Sequence, residues 1–512
     1  AMAGAADVDR AVASAREALP AWRSLPASKR RDVILEVARL LEVNAPDLSV
    51  LRSLETGAPY KKLGGGLAVE YTRYFAGWAD KLEGRTLPSL GAPALDYTLP
   101  EPYGVIAALT PWNGGIVSAA MKVVPALVAG NAVVLKPSEL APLGPLRFGE
   151  LCLDAGLPPG VLNVVTGGPA AGDALVSHPG VDKISFTGGT ATARLVSAAA
   201  AKRLTPVILE LGGKSANVVF ADADLDKAAM TSVMVGLSNL SGQGCVLPTR
   251  LLVDDAVYDE VEQRVATLAA SIRVGRPFDE GVTMGPVITA QSLERIMGMI
   301  DGAKARGDGR LLVGGERLGG ELGNGYFVAP TVFSDVDNAS PIAQEEVFGP
   351  VLAMVRFSGE DEAIELANGT QYGLGAIVFT NDVGRAHRMA AAFEAGSVGI
   401  NGFPPMPANA PFGGMKQSGY GREGGLAGVE DPLIQFIVLV LDHLGVEQAD
   451  PLEHPAWPAA RPQRVDVLGL GQKVEPSTST DPEGARRSCA CRTCGRRLPN
   501  LPDPPAHIPR AA

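Results

Sequence analysis

Between Thr205 and Arg250 the chain sets one carboxylate and one thiol inside glycine-rich turns, Glu210-Leu-Gly-Gly-Lys214 and Ser241-Gly-Gln-Gly-Cys245. Small neighbours leave a cysteine sulfur open to attack a carbon centre and let backbone N–H groups face the oxyanion that forms. A carboxylate near by can act as a general base. A cysteine is also a small buried hydrophobe in most folds, and Cys245 taken alone fits either role.

Other residues could hold a ligand. Thr187-Gly-Gly-Thr190 stands between an apolar strand and a helix, where free N–H groups and the helix dipole favour a pyrophosphate; a plain turn fits the same residues. Lys136 and Glu139 follow another strand. They suit ribose hydroxyls or phosphate, and equally suit a solvated loop. Gly213-Lys-Ser215 ends like a phosphate-binding loop, but Ile208 stands where its leading glycine is needed, which disfavours a nucleoside triphosphatase. The five histidines are scattered, with neither H-E-x-x-H nor a metal-ligand cluster. No G-x-S-x-G elbow offers a serine nucleophile.

These residues need elements to hold them. Val8, Val12, Ala15, Leu19 and Trp22 recur at helical spacing with Asp7 as the expected N-cap, and a second helix is expected over Lys29–Leu41. Short apolar strands then alternate with helices: Val105–Leu109, Ala132–Lys136, Val161–Thr166, Lys183–Phe186 and Pro206–Leu209. That rhythm builds right-handed βαβ units and a parallel sheet, with ligands beyond the strands' carboxyl ends. A second alternation follows, with strands at Leu251–Val253, Leu311–Val313, Val351–Arg356, Ala376–Phe379 and Ser397–Ile400, and helices near Val257–Ala270 and Arg385–Phe393. Extended segments are expected near Gly84–Pro102 and at Phe436–Leu441. Past Val446 the chain turns to Pro, Arg, Ser and Gly, and a disordered tail is expected. Cys489, Cys491 and Cys494 in that tail lack a clear fourth metal ligand.

At 512 residues, two or three domains are expected. A net charge of −11 argues against nucleic acid or an anionic membrane and leaves a small molecule as the expected partner. Cys152 and Cys245 stand apart, so no disulfide framework is expected and a cytoplasmic setting fits. Asp7 and Asp9 stand where a signal peptide needs an apolar core. The helical pattern starts almost at residue 1, so further sequence upstream is expected.

Several motifs, in order, resemble those of the NAD(P)-dependent aldehyde dehydrogenase superfamily: Thr110-Pro-Trp-Asn113, Gly130-Asn131, Leu135-Lys-Pro-Ser-Glu139, Phe186-Thr-Gly-Gly189, Leu209-Glu-Leu-Gly-Gly-Lys-Ser215, Gly242-Gln-Gly-Cys245, Glu345-Glu-Val-Phe-Gly-Pro350, Pro411-Phe-Gly-Gly-Met-Lys-Gln-Ser-Gly419 and Gly421-Arg-Glu423. The resemblance implies a Rossmann-like α/β cofactor domain over 1–83 and 103–212, an α/β catalytic domain over 213–424, and a β oligomerisation element from 84–102 and 425–446. It also implies a homodimer or homotetramer, with residues 447–512 having no family counterpart.

For the site, the resemblance implies Cys245 as nucleophile, Glu210 as the base that activates water, and Asn113 as an oxyanion donor. Lys122 and Glu423 would relay protons or serve as structural ion partners. Trp112, Lys136 and Glu139 would surround the adenosine ribose, Gly188 and Gly189 the pyrophosphate, and Glu346 and Phe348 the nicotinamide. Glu139 would repel a 2′-phosphate, so NAD is expected over NADP, with Lys136 as a counterweight. No metal is expected. Leu237, Leu240, Val246, Phe403 and Met406 would line the substrate channel. Because none of them is charged, an apolar or aromatic aldehyde is expected over a dicarboxylic semialdehyde. A cysteine amidase lacks a histidine near Cys245 in sequence, and a catalytically silent family member remains the other reading.

Overall fold

Strands apolar at every position need cover on both faces, and the first sheet is built of them. Val105–Thr110 and Ala132–Pro137 are buried throughout. The computed structural model describes residues 2–60, 66–88, 94–404 and 406–441. In it these strands are central to a six-stranded sheet ordered Gly419–Tyr420, Val207–Glu210, Lys183–Thr187, Val105–Thr110, Ala132–Pro137 and Leu162–Val164. All neighbours are parallel except Gly419–Tyr420, which runs antiparallel to Val207–Glu210. The expected α/β architecture with parallel sheets is what the chain adopts.

Strand order reverses between Val105–Thr110 and Lys183–Thr187, so the loops after Thr110 and Thr187 separate and leave a crevice. Val8, Val12 and Ala15 of the first helix, with Leu175 and Val196, cover one face of the sheet. Ile34, Val37, Phe75, Leu127 and Phe148 cover the other. Trp22 is fully buried and its indole N–H donates to the Leu127 carbonyl at 3.0 Å. Asp7 is not the N-cap. The helix Ala5–Ser24 starts after Gly4, and Asp7 sits in its first turn, accepting from the Gly4 N–H at 2.9 Å. The strand expected over Val161–Thr166 shortens to Leu162–Val164.

A second sheet of seven strands runs Arg310–Val313, Thr331–Ser334, Val351–Phe357, Arg250–Asp254, Ala216–Val219, Gly375–Phe379 and Ser397–Ile400. Only Arg310–Val313 pairs antiparallel. Ala216–Val219 and Thr331–Ser334 are short and carry polar residues, so periodicity does not mark them. Because Gly419–Tyr420 joins the first sheet, a single 213–424 segment does not follow sheet membership. A third sheet pairs Thr86–Leu87, Ala94–Pro102 and Leu433–Leu441, the last two over nine residues of antiparallel register. The expected tail, with Cys489, Cys491 and Cys494, lies outside the described residues. Among those described, no helix is long and apolar enough to cross a membrane.

One buried cation ties the second sheet to its helices. Arg250 is 1% exposed and donates to the carbonyls of Lys214 at 2.9 Å, Leu366 at 2.8 Å and Ala367 at 2.8 Å, and to Asn338 Oδ1 at 2.9 Å. The Leu366 and Ala367 carbonyls end the helix Gly359–Asn368, which needs such donors. Arg250→Leu strands these acceptors, and a loss of about 3 kcal/mol is expected, read as a lower midpoint in urea unfolding. A midpoint equal to wild type would remove Arg250 from this role.

Candidate active site

The sequence from Leu240 to Cys245 folds as a strained loop. Leu240, Ser241 and Gly242 take φ of 51°, 56° and 71°, a left-handed run that side chains disfavour. The surroundings hold it. Ser241 Oγ donates to the Gly285 carbonyl at 2.8 Å, and Gln243 Oε1 accepts from the Ile288 N–H at 3.0 Å. A β-carbon at Gly242 would lie 2.1 Å from the Gly349 carbonyl oxygen, so only glycine fits there. From the loop after Val105–Thr110, Asn113 Nδ2 donates to the Gln243 carbonyl at 3.0 Å, leaving its second N–H for another acceptor.

Two cavities meet at this loop. One, of about 710 Å³, fills the crevice beyond the first sheet, and the other, of about 350 Å³, opens on the opposite side. Pro111, Trp112, Asn113, Thr187, Glu210 and Cys245 line both. The thiol and the carboxylate therefore share one junction. Burial, then the Glu346 and Glu210 carboxylates, push the Cys245 thiol up to about 12, while the N–H groups of Cys245 and Val246 pull the other way. At neutral pH the resting sulfur is a thiol and needs a base.

Glu210 ends its strand, is 2% exposed, and has no hydrogen-bond partner on either carboxylate oxygen among the described residues. Burial, with Glu423 second, holds its pKa well above the ordinary carboxylate range, against Lys122 and Arg422. Its side chain occupies room left by a glycine: a β-carbon at Gly413 would lie 2.6 Å from Glu210 Oε1. Behind it Lys122 Nζ donates to Glu423 Oε1 and, at 2.9 Å, to Ser185 Oγ. Glu423 reaches the smaller cavity, whereas Lys122 lines neither.

The larger cavity collects Trp112, Lys136, Glu139, Gly188, Gly189, Glu346 and Phe348. Lys136 donates to the Pro137 carbonyl at 3.0 Å and lies 3.7 Å from Glu139 Oε2; burial lowers its pKa. No side chain caps the helix Thr190–Ala201 after Gly188 and Gly189, so its first N–H groups open on the cavity. Glu346 Oε1 accepts from the Gly213 N–H at 3.1 Å, and burial pushes its carboxyl up to about 7. The Trp112 and Phe348 rings meet edge to face at 5.9 Å. An anion-binding helix start, a carboxylate at the far strand end and a cavity of ligand size are the donor set a dinucleotide requires.

Leu240, Val246, Phe403 and Met406 line the smaller cavity. Leu237 does not; it is fully buried among Val233, Leu251 and Phe379 because the π-helical turn Thr231–Ser238 points it into the second sheet's core. Sequence reasoning missed Thr187 as part of the junction, Gly413, and Arg52 and Glu55 of the helix Ala45–Thr56, which lines the smaller cavity. Gly413 lay within a quoted motif. Arg52 and Glu55 belong to no motif, and only the fold brings them to the cavity.

The sequence model of the aldehyde dehydrogenase family matches residues 1–434. The chain belongs to that family. It is 42% identical over 432 residues to mouse cytosolic aldehyde dehydrogenase 1, covering 83% of this chain and 85% of the relative. Betaine aldehyde dehydrogenase from Staphylococcus aureus, solved with NAD+, superposes with a TM-score of 0.85 at 36% identity, over 87% of this chain and 89% of that one. An NAD+ complex of aldehyde dehydrogenase from Bacillus cereus gives a TM-score of 0.83 at 37% identity, over 86% and 90%.

The Gly413 contact is open to test. Gly413→Ala is expected to displace the Glu210 carboxylate and lower aldehyde turnover on the order of tenfold, measured by steady-state kinetics with circular dichroism as the fold control. Unchanged turnover would show that Glu210 does not need that space.

Proposed function

We propose that the chain oxidises aldehydes to carboxylic acids with NAD through an acyl group carried on Cys245. The reading is carried by one observation, the presence of Cys245 and Glu210 at the junction of both cavities. A carbonyl carbon does not release hydride until a nucleophile has added. Cys245 supplies that nucleophile after its proton passes to Glu210, whose raised pKa makes it a stronger base than an ordinary carboxylate. The oxyanion of the thiohemiacetal is held by the Cys245 N–H and the Asn113 amide, a type of contact whose loss costs roughly a hundredfold in rate. NAD in the larger cavity supplies the hydride acceptor. A thioester remains on Cys245, and Glu210 takes a proton from the water that hydrolyses it. Lys122, Glu423 and Ser185 form a polar path for that proton.

Glu139 hydrogen-bonds ribose hydroxyls and repels a 2′-phosphate, which favours NAD over NADP. Gly188, Gly189 and the helix start bind the pyrophosphate, Trp112 and Lys136 border the adenosine end, and Glu346 and Phe348 position the nicotinamide. In this reading the six-stranded sheet carries the cofactor and the seven-stranded sheet presents the thiol. The three-stranded sheet, with Leu95, Leu99, Ile434 and Ile437 exposed, is the surface for a homodimer or homotetramer. A cytosolic setting is supported by the mouse relative's own description.

Cys245→Ala is expected to abolish NADH formation. Glu210→Gln is expected to slow both the first-turnover NADH burst, read by stopped flow, and steady-state turnover, because thiol deprotonation and thioester hydrolysis draw on the same base, and equal steady-state rates in Glu210→Gln and wild type would remove Glu210 from its role. A base whose pKa is raised above the ordinary carboxylate range is protonated at low pH, so steady-state turnover rises with pH beyond that range. In Glu210→Gln that limb is expected to flatten; turnover falling with pH in wild type would contradict the assignment.

A further inference from the structure

The smaller cavity carries a charge that the motifs do not mention. Besides the Cys245 thiol, four ionisable side chains line it: Arg52, Glu55, Glu210 and Glu423. Three are accounted for. Glu423 is paired with Lys122, and burial holds Glu210 well above its ordinary pKa. Glu55 caps the helix Leu143–Asp154, accepting from the N–H groups of Leu143 and Gly144, the latter at 3.2 Å. Arg52 is left. Its guanidinium has no hydrogen bond and no ion pair among the described residues, although burial pulls its pKa below the ordinary value. A half-buried guanidinium without an acceptor is unfavourable unless something supplies one.

Arg52 sits on the helix Ala45–Thr56 at the wall of the cavity that also contains Cys245, Val246, Phe403 and Met406. An aldehyde carbon at the thiol would extend along the apolar residues towards that wall. We propose that Arg52 is a substrate-binding residue and that the preferred substrate is an ω-oxo acid, an aldehyde with a carboxylate at its other end. This rests on the aldehyde-oxidising reading above and replaces the apolar or aromatic substrate expected from the uncharged motif-adjacent residues. A planar guanidinium matches a carboxylate with two parallel hydrogen bonds, and the surrounding apolar surface strengthens them. The same guanidinium repels a cationic terminus. The reaction is unchanged: the aldehyde carbon loses hydride at Cys245 and gains the oxygen of water, giving a dicarboxylate, while the distal carboxylate stays intact.

The test compares kcat/KM for succinic semialdehyde and its longer ω-oxo-acid homologues with n-alkanals of matching length, in wild type, Arg52→Gln and Arg52→Lys. The wild type is expected to favour an ω-oxo acid by at least about tenfold, the size of a lost charged hydrogen bond to substrate. Arg52→Gln is expected to erase the preference mainly through KM, and Arg52→Lys to restore part of it. NAD affinity, measured by fluorescence titration, reports whether each variant is folded. The matching dicarboxylate is expected to compete with alkanals in wild type and to lose that competition in Arg52→Gln. A wild type that oxidises alkanals without favouring ω-oxo acids, or a preference that survives Arg52→Gln in folded protein, overturns the proposal and leaves the aldehyde dehydrogenase reading intact. No NADH from any aldehyde overturns both.

Discussion

The site depends on the absence of two β-carbons where the chain leaves the first sheet for the second. A β-carbon at Gly212 would lie 2.2 Å from Glu346 Oε2, and one at Gly213 would lie 2.5 Å from the Cys245 carbonyl oxygen. At Gly213 the clash is with backbone and no side chain fits, whereas at Gly212 it is with the carboxylate end of Glu346, which would have to leave its place. The close approach lets the Gly213 N–H reach Glu346 and sets the cysteine loop against the end of the Glu210 strand. With a larger residue at Gly213 the cysteine loop would be pushed away from the end of the Glu210 strand.

Burial then gives the paired groups their chemistry. Glu210, Lys122 and Lys214 are buried and Glu346 is half-buried, and each carboxylate is held towards its neutral form by loss of water. Lys214 is likewise pushed down to about 7, with burial the largest cause and Arg250 the next. Glu346 and Lys214 can therefore trade protons near neutral pH, where ordinary carboxylates and amines do not. Strain has a matching place. The left-handed run at Leu240–Gly242 is held by the hydrogen bonds of Ser241 and Gln243.

Much of this was legible in the sequence where local residue type dictates geometry. Uninterrupted apolar strands announced the first sheet, and glycines around Glu210 and Cys245 announced close backbone approaches. What stayed hidden came from long-range contact. Leu237 lies only eight positions before Cys245 yet belongs to the second sheet's core, because a π-helical turn rotates it away. Asp7 fits an N-cap by type, but the helix starts earlier and places it in the first turn. Arg52 is the sharper case. Nothing around it in sequence points to a ligand, and its meaning appears only once the fold sets it in the cavity with Cys245 while Glu55 is taken up by another helix. A substrate expectation drawn from motif-adjacent residues alone does not include Arg52, whose guanidinium has no ion pair among the described residues.

The central claim is that the substrate's carbon becomes covalently bound to one sulfur during turnover. Acid-quenching wild-type enzyme in the first turnover with NAD and an aldehyde, followed by peptide mass spectrometry, tests it directly. The account predicts a mass gain equal to the aldehyde less two hydrogens on the peptide containing Cys245, lost on raising the quench to alkaline pH as a thioester is. NADH formed with no such adduct, or with the adduct on Cys152, would contradict it.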